Sequence, residues 1–222
     1  MSHPFTPAKL ILDDYVPNTH SGQTLFMIFI AFQLLLFILL WQLTKKRDTP
    51  FSSLIQIFWF TFNGILHLIF QGYFALQHRT LVSETNIFAQ SLKQYAVADS
   101  RYVTNDLTVI CIEILHAFLL GPLCILTAIF VYRHSPSRYV LILIISTSHL
   151  FGCIMFFLHE YLESFSHVPH DNQIYFYGYF IGINSIWFVF PILFIINSWR
   201  KLRSALVQHE QMGSIYEKRK RK

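Results

Sequence analysis

A polytopic all-α membrane bundle, five transmembrane helices around an intramembrane cavity, is the fold class this sequence predicts. Three observations predict it. Hydrophobic residues make up 54% of the 222 residues and charged ones only 13%, a balance too apolar for an ordinary soluble domain. Five segments are long and apolar enough to cross a hydrocarbon core of roughly 30 Å, which takes about 20 helical residues. Within those segments polar side chains recur at helical spacing, and intramembrane polar groups ordinarily face a bundle interior.

Residues 1–23 form an amino-terminal segment with one lysine, Lys9, and two aspartates, Asp13 and Asp14, and without the apolar core of a cleavable signal. The first span, 24–44, is therefore expected to stay as an anchor. Further spans follow at 51–76, 107–132, 139–160 and 175–199, so that 24–199 reads as one membrane domain and 200–222 as a basic tail. The long link between the second and third spans places Leu81, Phe88, Leu92 and Tyr95 at near-helical spacing beside Glu84, Gln90 and Lys93. It predicts a short interfacial helix capping the bundle, with a solvated loop as the alternative.

Basic residues set the expected orientation, because short loops rich in Lys and Arg stay cytoplasmic. Lys45, Lys46 and Arg47 follow span one, Arg133 and Arg138 lie between spans three and four, and the tail holds Arg200, Lys201, Arg203 and a terminal KRKRK. The opposite side keeps Lys9, Arg79, Lys93 and Arg101. The amino terminus is thus expected in the lumen and the tail in the cytosol. Lys218 and Lys220, fifth and third from the end, resemble a retrieval address for the endoplasmic reticulum; a generic basic tail is the other reading. The formal charge of +5 is accounted for by this topology pattern and gives no reason to expect nucleic acid.

Cys111, Cys124 and Cys153 all fall within spans, without a CxxC pattern, so no disulfide framework is expected. No HExxH-type helix motif, Ser-His-Asp order, phosphate loop or nucleotide fingerprint occurs, and neither a metal nor a cofactor is expected.

The polar residues carry the chemistry. Span two repeats Asn63, His67 and Gln71 every four residues; span three carries Glu113 and His116; span four carries Ser146, Thr147, Ser148, His149 and Gly152; span five carries Asn184 and Trp187. At about 1.5 Å per residue, His67, His116 and Asn184 lie roughly 14 Å below the lumenal ends, and Gln71 and Glu113 roughly 7–9 Å. A shared layer favours one cavity over scattered interhelical bonds, although Asn63, His67, Gln71 and Asn184 could each simply bridge helices. Ser146 to Ser148 read as packing groups. Glu113 is different, since a lone carboxylate in an apolar span must find a cation or hold its proton, and either makes an acid or base. Such a cavity suits protonation of an alkene, a shielded carbocation facing an aromatic ring such as Trp187, and loss of a proton from a neighbouring carbon.

The order HLIFQGYF, KQYAVADSRY, LTVICIEILHAFLLGPL and GINSIWFVFP, running from LDDYVPN near the start through Trp199, resembles the emopamil-binding protein family of five-span sterol isomerases. The resemblance implies a cofactor-independent shift of a sterol double bond from the 8 to the 7 position, and binding of cationic amphiphilic inhibitors. It implies roles for His67, Glu113, Asn184 and Trp187, and matches the loop residues Tyr95, Asp99 and Arg101. Two positions depart: Gln71 stands where the family has a glutamate, and His116 where it has a threonine. A third departure, Cys153, replaces an acidic residue. Gln71 cannot titrate and can only position, whereas His116 can titrate and take over a proton-transfer task. The expected catalytic set is His67, Glu113 and His116, with Gln71, Asn184, Trp187, Tyr95, Asp99 and Arg101 binding substrate. Three readings stay open: the sterol isomerase itself, a diverged isomerase or cyclase of another isoprenoid, and a silent binder of sterols or amphiphilic amines. A homodimer is compatible with each.

Overall fold

The computed structural model describes residues 2–45 and 49–220, without the side chains of Ile215 and Glu217. Lys46, Arg47, Arg221 and Lys222, part of the orientation pattern, lie outside the described residues. Five helices have the length and composition of membrane spans: α1 (Gly22–Lys45), α2 (Phe51–Gln77), α4 (Leu107–Tyr132), α5 (Arg138–Leu162) and α6 (Ile174–Lys220). Between α2 and α4 runs α3 (Ile87–Ala96), followed by a 3₁₀ turn at Ser100–Tyr102. The described residues contain no strand.

The helix starts are set by short polar side chains. Asn86 accepts from the N–H groups of Phe88 and Ala89 to cap α3, and Asp106 accepts from Val109 N–H at 2.9 Å to cap α4. The expected short helix is therefore present, but it begins after Leu81, which packs fully buried in the preceding turn. Lys93 of α3 donates to the carbonyls of Val16 (2.6 Å) and Glu84 (2.8 Å), and Gln90 receives the backbone N–H groups of Thr19 and His20. These bonds tie the amino-terminal segment down onto α3.

Half of the most apolar stretch of α2 is buried, against 6% for α1. The bundle core is thus built by α2, α4, α5 and α6, with α1 at its edge. Close approach of α2 and α4 depends on small residues, as membrane helix pairs commonly do. A Cβ on Gly64 would lie 2.5 Å from Ile125 Cδ1, and one on Gly121 would lie 2.9 Å from Leu68 Cγ and 3.2 Å from His67 Cβ. One buried apolar cluster lies toward α3, including Phe74, Leu81, Val109, Phe156 and Phe180. A second lies toward the tail, including Trp59, Phe60, Ile142, Ile145 and Phe194.

The spans are not uniform α-helices. They widen to π-helical turns at His67–Gln71, His116–Leu120 and Ile174–Ile183. The second widening directly precedes Gly121 and Pro122; the proline has no N–H for the turn before it and its ring crowds that turn's carbonyl. The first widening falls within the even four-residue stripe expected of span two, where His67 and Gln71 still meet. The expected fifth span of 175–199 also runs on, as one helix to Lys220. Beyond Pro191 that stretch has no proline, and Leu, Ala, Gln, Glu, Met and Lys favour continued helix.

Candidate active site

Every helix of the bundle contributes to one cavity of about 530 Å³. Its walls are mostly apolar, with Phe26, Phe29 and Phe32 of α1, Ile69 and Phe70 of α2 and Ile183 of α6 among them. Polar groups converge on it from separate elements: Gln71 from α2, Tyr95 from α3, Tyr102 from the 3₁₀ turn, Glu113 and His116 from α4, His149 from α5, and Asn184 and Trp187 from α6. An apolar pocket with a few convergent polar groups is the common form of a small-molecule site.

Glu113 is 4% exposed. Its Oε1 accepts from the Tyr102 hydroxyl, while its Oε2 is buried without a partner among the described residues. Burial first, and then the carboxylate beside it, push the Tyr102 phenol well above the ordinary tyrosine range, so Tyr102 keeps its proton and is the donor. Tyr95 is also pushed up, chiefly by burial and next by Asp99; its hydroxyl accepts from Asn184 Nδ2 at 2.8 Å. The Trp187 indole N–H donates to Asn63 Oδ1 at 2.8 Å, and Asn63 Nδ2 donates to the Trp59 carbonyl at 2.8 Å. Asn63 therefore fixes the tryptophan ring that lines the cavity.

The other polar groups form a line. The Gln71 amide stands 3.5 Å from His116 Nδ1 through its nitrogen and meets His67 Nδ1 through its oxygen. His67 Nε2 faces His149 Nε2 at 2.8 Å. Ring centroids of His67 lie 5.0 Å from those of both His116 and His149. Gly152 makes this possible, because a Cβ there would come within 3.0 Å of His116 Nε2. His67 itself sits behind the cavity wall that Gln71, His116 and His149 form.

Asp99 and Arg101 take another place than the one the resemblance implied. Both are fully buried above the cavity, where Arg101 pairs with Asp99 at 2.6 Å and Glu160 at 3.3 Å, donates to the Phe156 carbonyl at 3.0 Å and stacks on the Phe156 ring. Their charges are used up in that layer. Neither is among the residues that line the cavity, and together with Glu160 they form a buried polar cap. His149 and Tyr102 were not among the expected site residues, and neither was Glu160 in the cap. Tyr102 stands at the end of the KQYAVADSRY stretch, directly after Arg101, and that adjacency was the available signal. His149 had none beyond being an imidazole within a span.

His67, Cys124 and His149 bring one ligating atom each within 4.8 Å of one another. A tetrahedral zinc with nitrogen ligands at about 2.0–2.1 Å holds them roughly 3.3 Å apart. The two Nε2 atoms instead face each other at 2.8 Å, the spacing of a hydrogen bond across one proton, so the group does not fit that ion. Because its members come from three spans, no spacing in the sequence could have displayed it.

Comparison with known proteins agrees with this architecture. The family model EXPERA (EXPanded EBP superfamily) matches residues 87–198, from the start of α3 through most of the membrane part of α6. The 3-beta-hydroxysteroid-Delta(8),Delta(7)-isomerase of Rattus norvegicus is 31% identical over 91% of this chain and 90% of its own length. The probable 3-beta-hydroxysteroid-Delta(8),Delta(7)-isomerase of Arabidopsis thaliana is 32% identical over 92% and 91%. Isomeliandiol synthase of Ailanthus altissima is 27% identical over 95% and 97%. With half the chain matched by the family model and relatives above 30% identity across nearly its whole length, this five-span protein belongs to the EXPERA superfamily.

Proposed function

We propose that this chain is a membrane-embedded, cofactor-independent isomerase that moves a carbon–carbon double bond in a sterol, from the Delta8 to the Delta7 position, by way of a carbocation. The observation that carries the proposal is Glu113, with one oxygen bonded to Tyr102 and the other without a partner among the described residues, at an apolar cavity of about 530 Å³ that His116 and His149 also line. Relatives named as Delta(8),Delta(7)-isomerases support the substrate class.

In this reading the hydrocarbon rings enter sideways past the lightly packed α1. Glu113 gives its proton to one alkene carbon, and the electron pair of the double bond forms the new C–H bond. The cation lies in a site without bulk water, against the Trp187 ring, with Asn184 and Tyr95 available to orient the polar end of the substrate. An adjacent C–H bond then breaks toward an imidazole, and its electron pair makes the relocated double bond. No electrons are gained or lost overall. The imidazole side of this exchange and its orientation come from the line of His116, Gln71, His67 and His149. Cationic amphiphilic amines fit as mimics of the carbocation.

The clustering of basic residues supports a lumenal amino terminus and a cytosolic tail in the endoplasmic reticulum membrane. The experiment is conversion of a Delta8 sterol by the full-length protein in liposomes, read by mass spectrometry of the product. A Delta7 product is expected; unchanged substrate would overturn the sterol reading.

A second reading is favoured by two residues. Gln71 and His116 replace the glutamate and threonine of the resembling isomerases, and relatives at 27% identity are named isomeliandiol synthase and protoglabretal synthase. The same acid-triggered chemistry would then act on another isoprenoid. Under this reading Gln71→Glu with His116→Thr raises activity on the Delta8 sterol, and no gain counts against it.

A further inference from the structure

We infer that His149 is the proton acceptor of this site and that His67 is a positioning residue acting through it. The inference rests on the isomerase reading above. It comes from following hydrogens along the line of polar groups.

The carbonyl oxygen of Gln71 can only accept, so His67 Nδ1 carries the hydrogen between them. A neutral imidazole protonated on Nδ1 has its lone pair on Nε2. In the 2.8 Å contact between the two rings, His149 Nε2 is therefore the donor and His67 Nε2 the acceptor. That leaves the lone pair of His149 on Nδ1. This atom is buried without a partner among the described residues, on a side chain that lines the cavity. On the other side, the Gln71 NH₂ group faces His116 Nδ1 at 3.5 Å, so His116 offers a lone pair to the amide and keeps its hydrogen on Nε2. His67 has both ring nitrogens engaged. Of the three imidazoles, His149 alone has a basic nitrogen without a partner among the described residues, on a side chain that borders the cavity.

The amide at position 71 is what sets this pattern. It accepts from one imidazole and donates to another, whereas a carboxylate there would require a hydrogen on Nδ1 of both rings. Gln71 thus directs the line toward His149.

In the deprotonation step the C–H bond of the substrate cation breaks, its electron pair becomes the new double bond, and the proton bonds to His149 Nδ1. The Nε2 proton of His149 can then cross to His67 Nε2, moving the positive charge one ring away from the product, with His67 Nδ1–H still held by the Gln71 oxygen. Glu113, which lost a proton in the first step, regains one from the imidazolium after the product leaves. Protons and electrons balance over the cycle.

Two measurements on the full-length protein decide the matter. Nitrogen-15 NMR of histidine-labelled protein, assigned with His67→Gln, His116→Gln and His149→Gln, should show His149 protonated on Nε2 and His67 on Nδ1. A hydrogen on His149 Nδ1 instead would overturn the inference whatever the substrate. His149→Ala should lower turnover on the order of 100-fold, with part of it returned by imidazole in the buffer, a recovery that a merely structural role would not give. Ser148→Ala, at a half-buried neighbour bonded to the Ile144 carbonyl, should turn over as the parent does. Turnover of His149→Ala equal to the parent, or a loss that imidazole does not relieve, would refute the role of His149. Should the parent protein move no double bond, the functional reading fails, and the NMR pattern alone still supports or overturns the assignment.

Discussion

Two polar layers are buried in this bundle, and they are built in opposite ways. In the cap, Asp99, Arg101 and Glu160 are fully buried and linked: Arg101 bonds both carboxylates, and Glu160 also accepts from the backbone and ring nitrogens of His167 at 2.8 and 3.0 Å. Deeper in the bundle, Glu113 Oε2 of α4 and His149 Nδ1 of α5 are equally enclosed yet have no partner among the described residues. Buried polar atoms ordinarily find partners, and leaving one unmade costs about 1–3 kcal/mol. The satisfied layer therefore reads as architecture and the unsatisfied one as a place reserved for a reacting molecule. Tyr102 joins them, one residue from Arg101 and bonded to Glu113.

The contrast is most exposed at Glu113. Glu113→Gln keeps the shape and an acceptor for Tyr102 but removes the proton donor. Turnover should fall on the order of 10³-fold or more, while thermal unfolding in detergent changes by less than about 1 kcal/mol. A large loss of stability with retained turnover would reverse the roles assigned to the two layers.

Arg101→Leu should do the converse. It leaves Asp99 and Glu160 uncompensated, which costs about 3–5 kcal/mol for a broken buried pair. Unfolding should shift strongly, with turnover per folded molecule largely kept. Adding Asp99→Asn and Glu160→Gln to the same chain should recover part of the stability.

Tyr102→Phe tests the joint. Removing one hydrogen bond to the buried acid should change turnover about tenfold, the equivalent of ~1.4 kcal/mol, and this can be read in the same liposome assay.

The smallest effect belongs to His167. Its hydrogen bond to Glu160 raises its pKa in the folded protein above the ordinary 6.5 or so. The stabilisation is then complete below about pH 6.5 and fades as pH rises through the raised value. Unfolding temperatures taken across that range should fall with pH in the parent and stay flat in His167→Gln, by less than about 1 kcal/mol.

Much of this was readable from the chain. Hydropathy located all five spans, because bilayer thickness dictates helix length, and the scarcity of polar residues in lipid singled out Gln71, Glu113, His116, Asn184 and Trp187, all of which reach the cavity wall. What stayed hidden depends on rotation about helix axes. The π-helical turn at His67–Gln71 sets His67 behind the wall and against His149, and no four-residue spacing could reveal that. Ser146, Thr147, Ser148 and His149 read as one polar run, yet in α5 Thr147 is exposed while His149 is buried toward α2. Asp99 and Arg101 sit in a matching motif, but a motif does not say whether a charge faces a ligand or another charge.

The central claim is that the unpartnered oxygen of Glu113 exchanges a proton with a substrate carbon. Mass spectrometry of product formed in heavy water tests it directly. The parent protein should place one solvent deuterium on carbon for each double bond moved, and Glu113→Gln should place none; product formed without deuterium, or labelled equally by both proteins, would contradict the account.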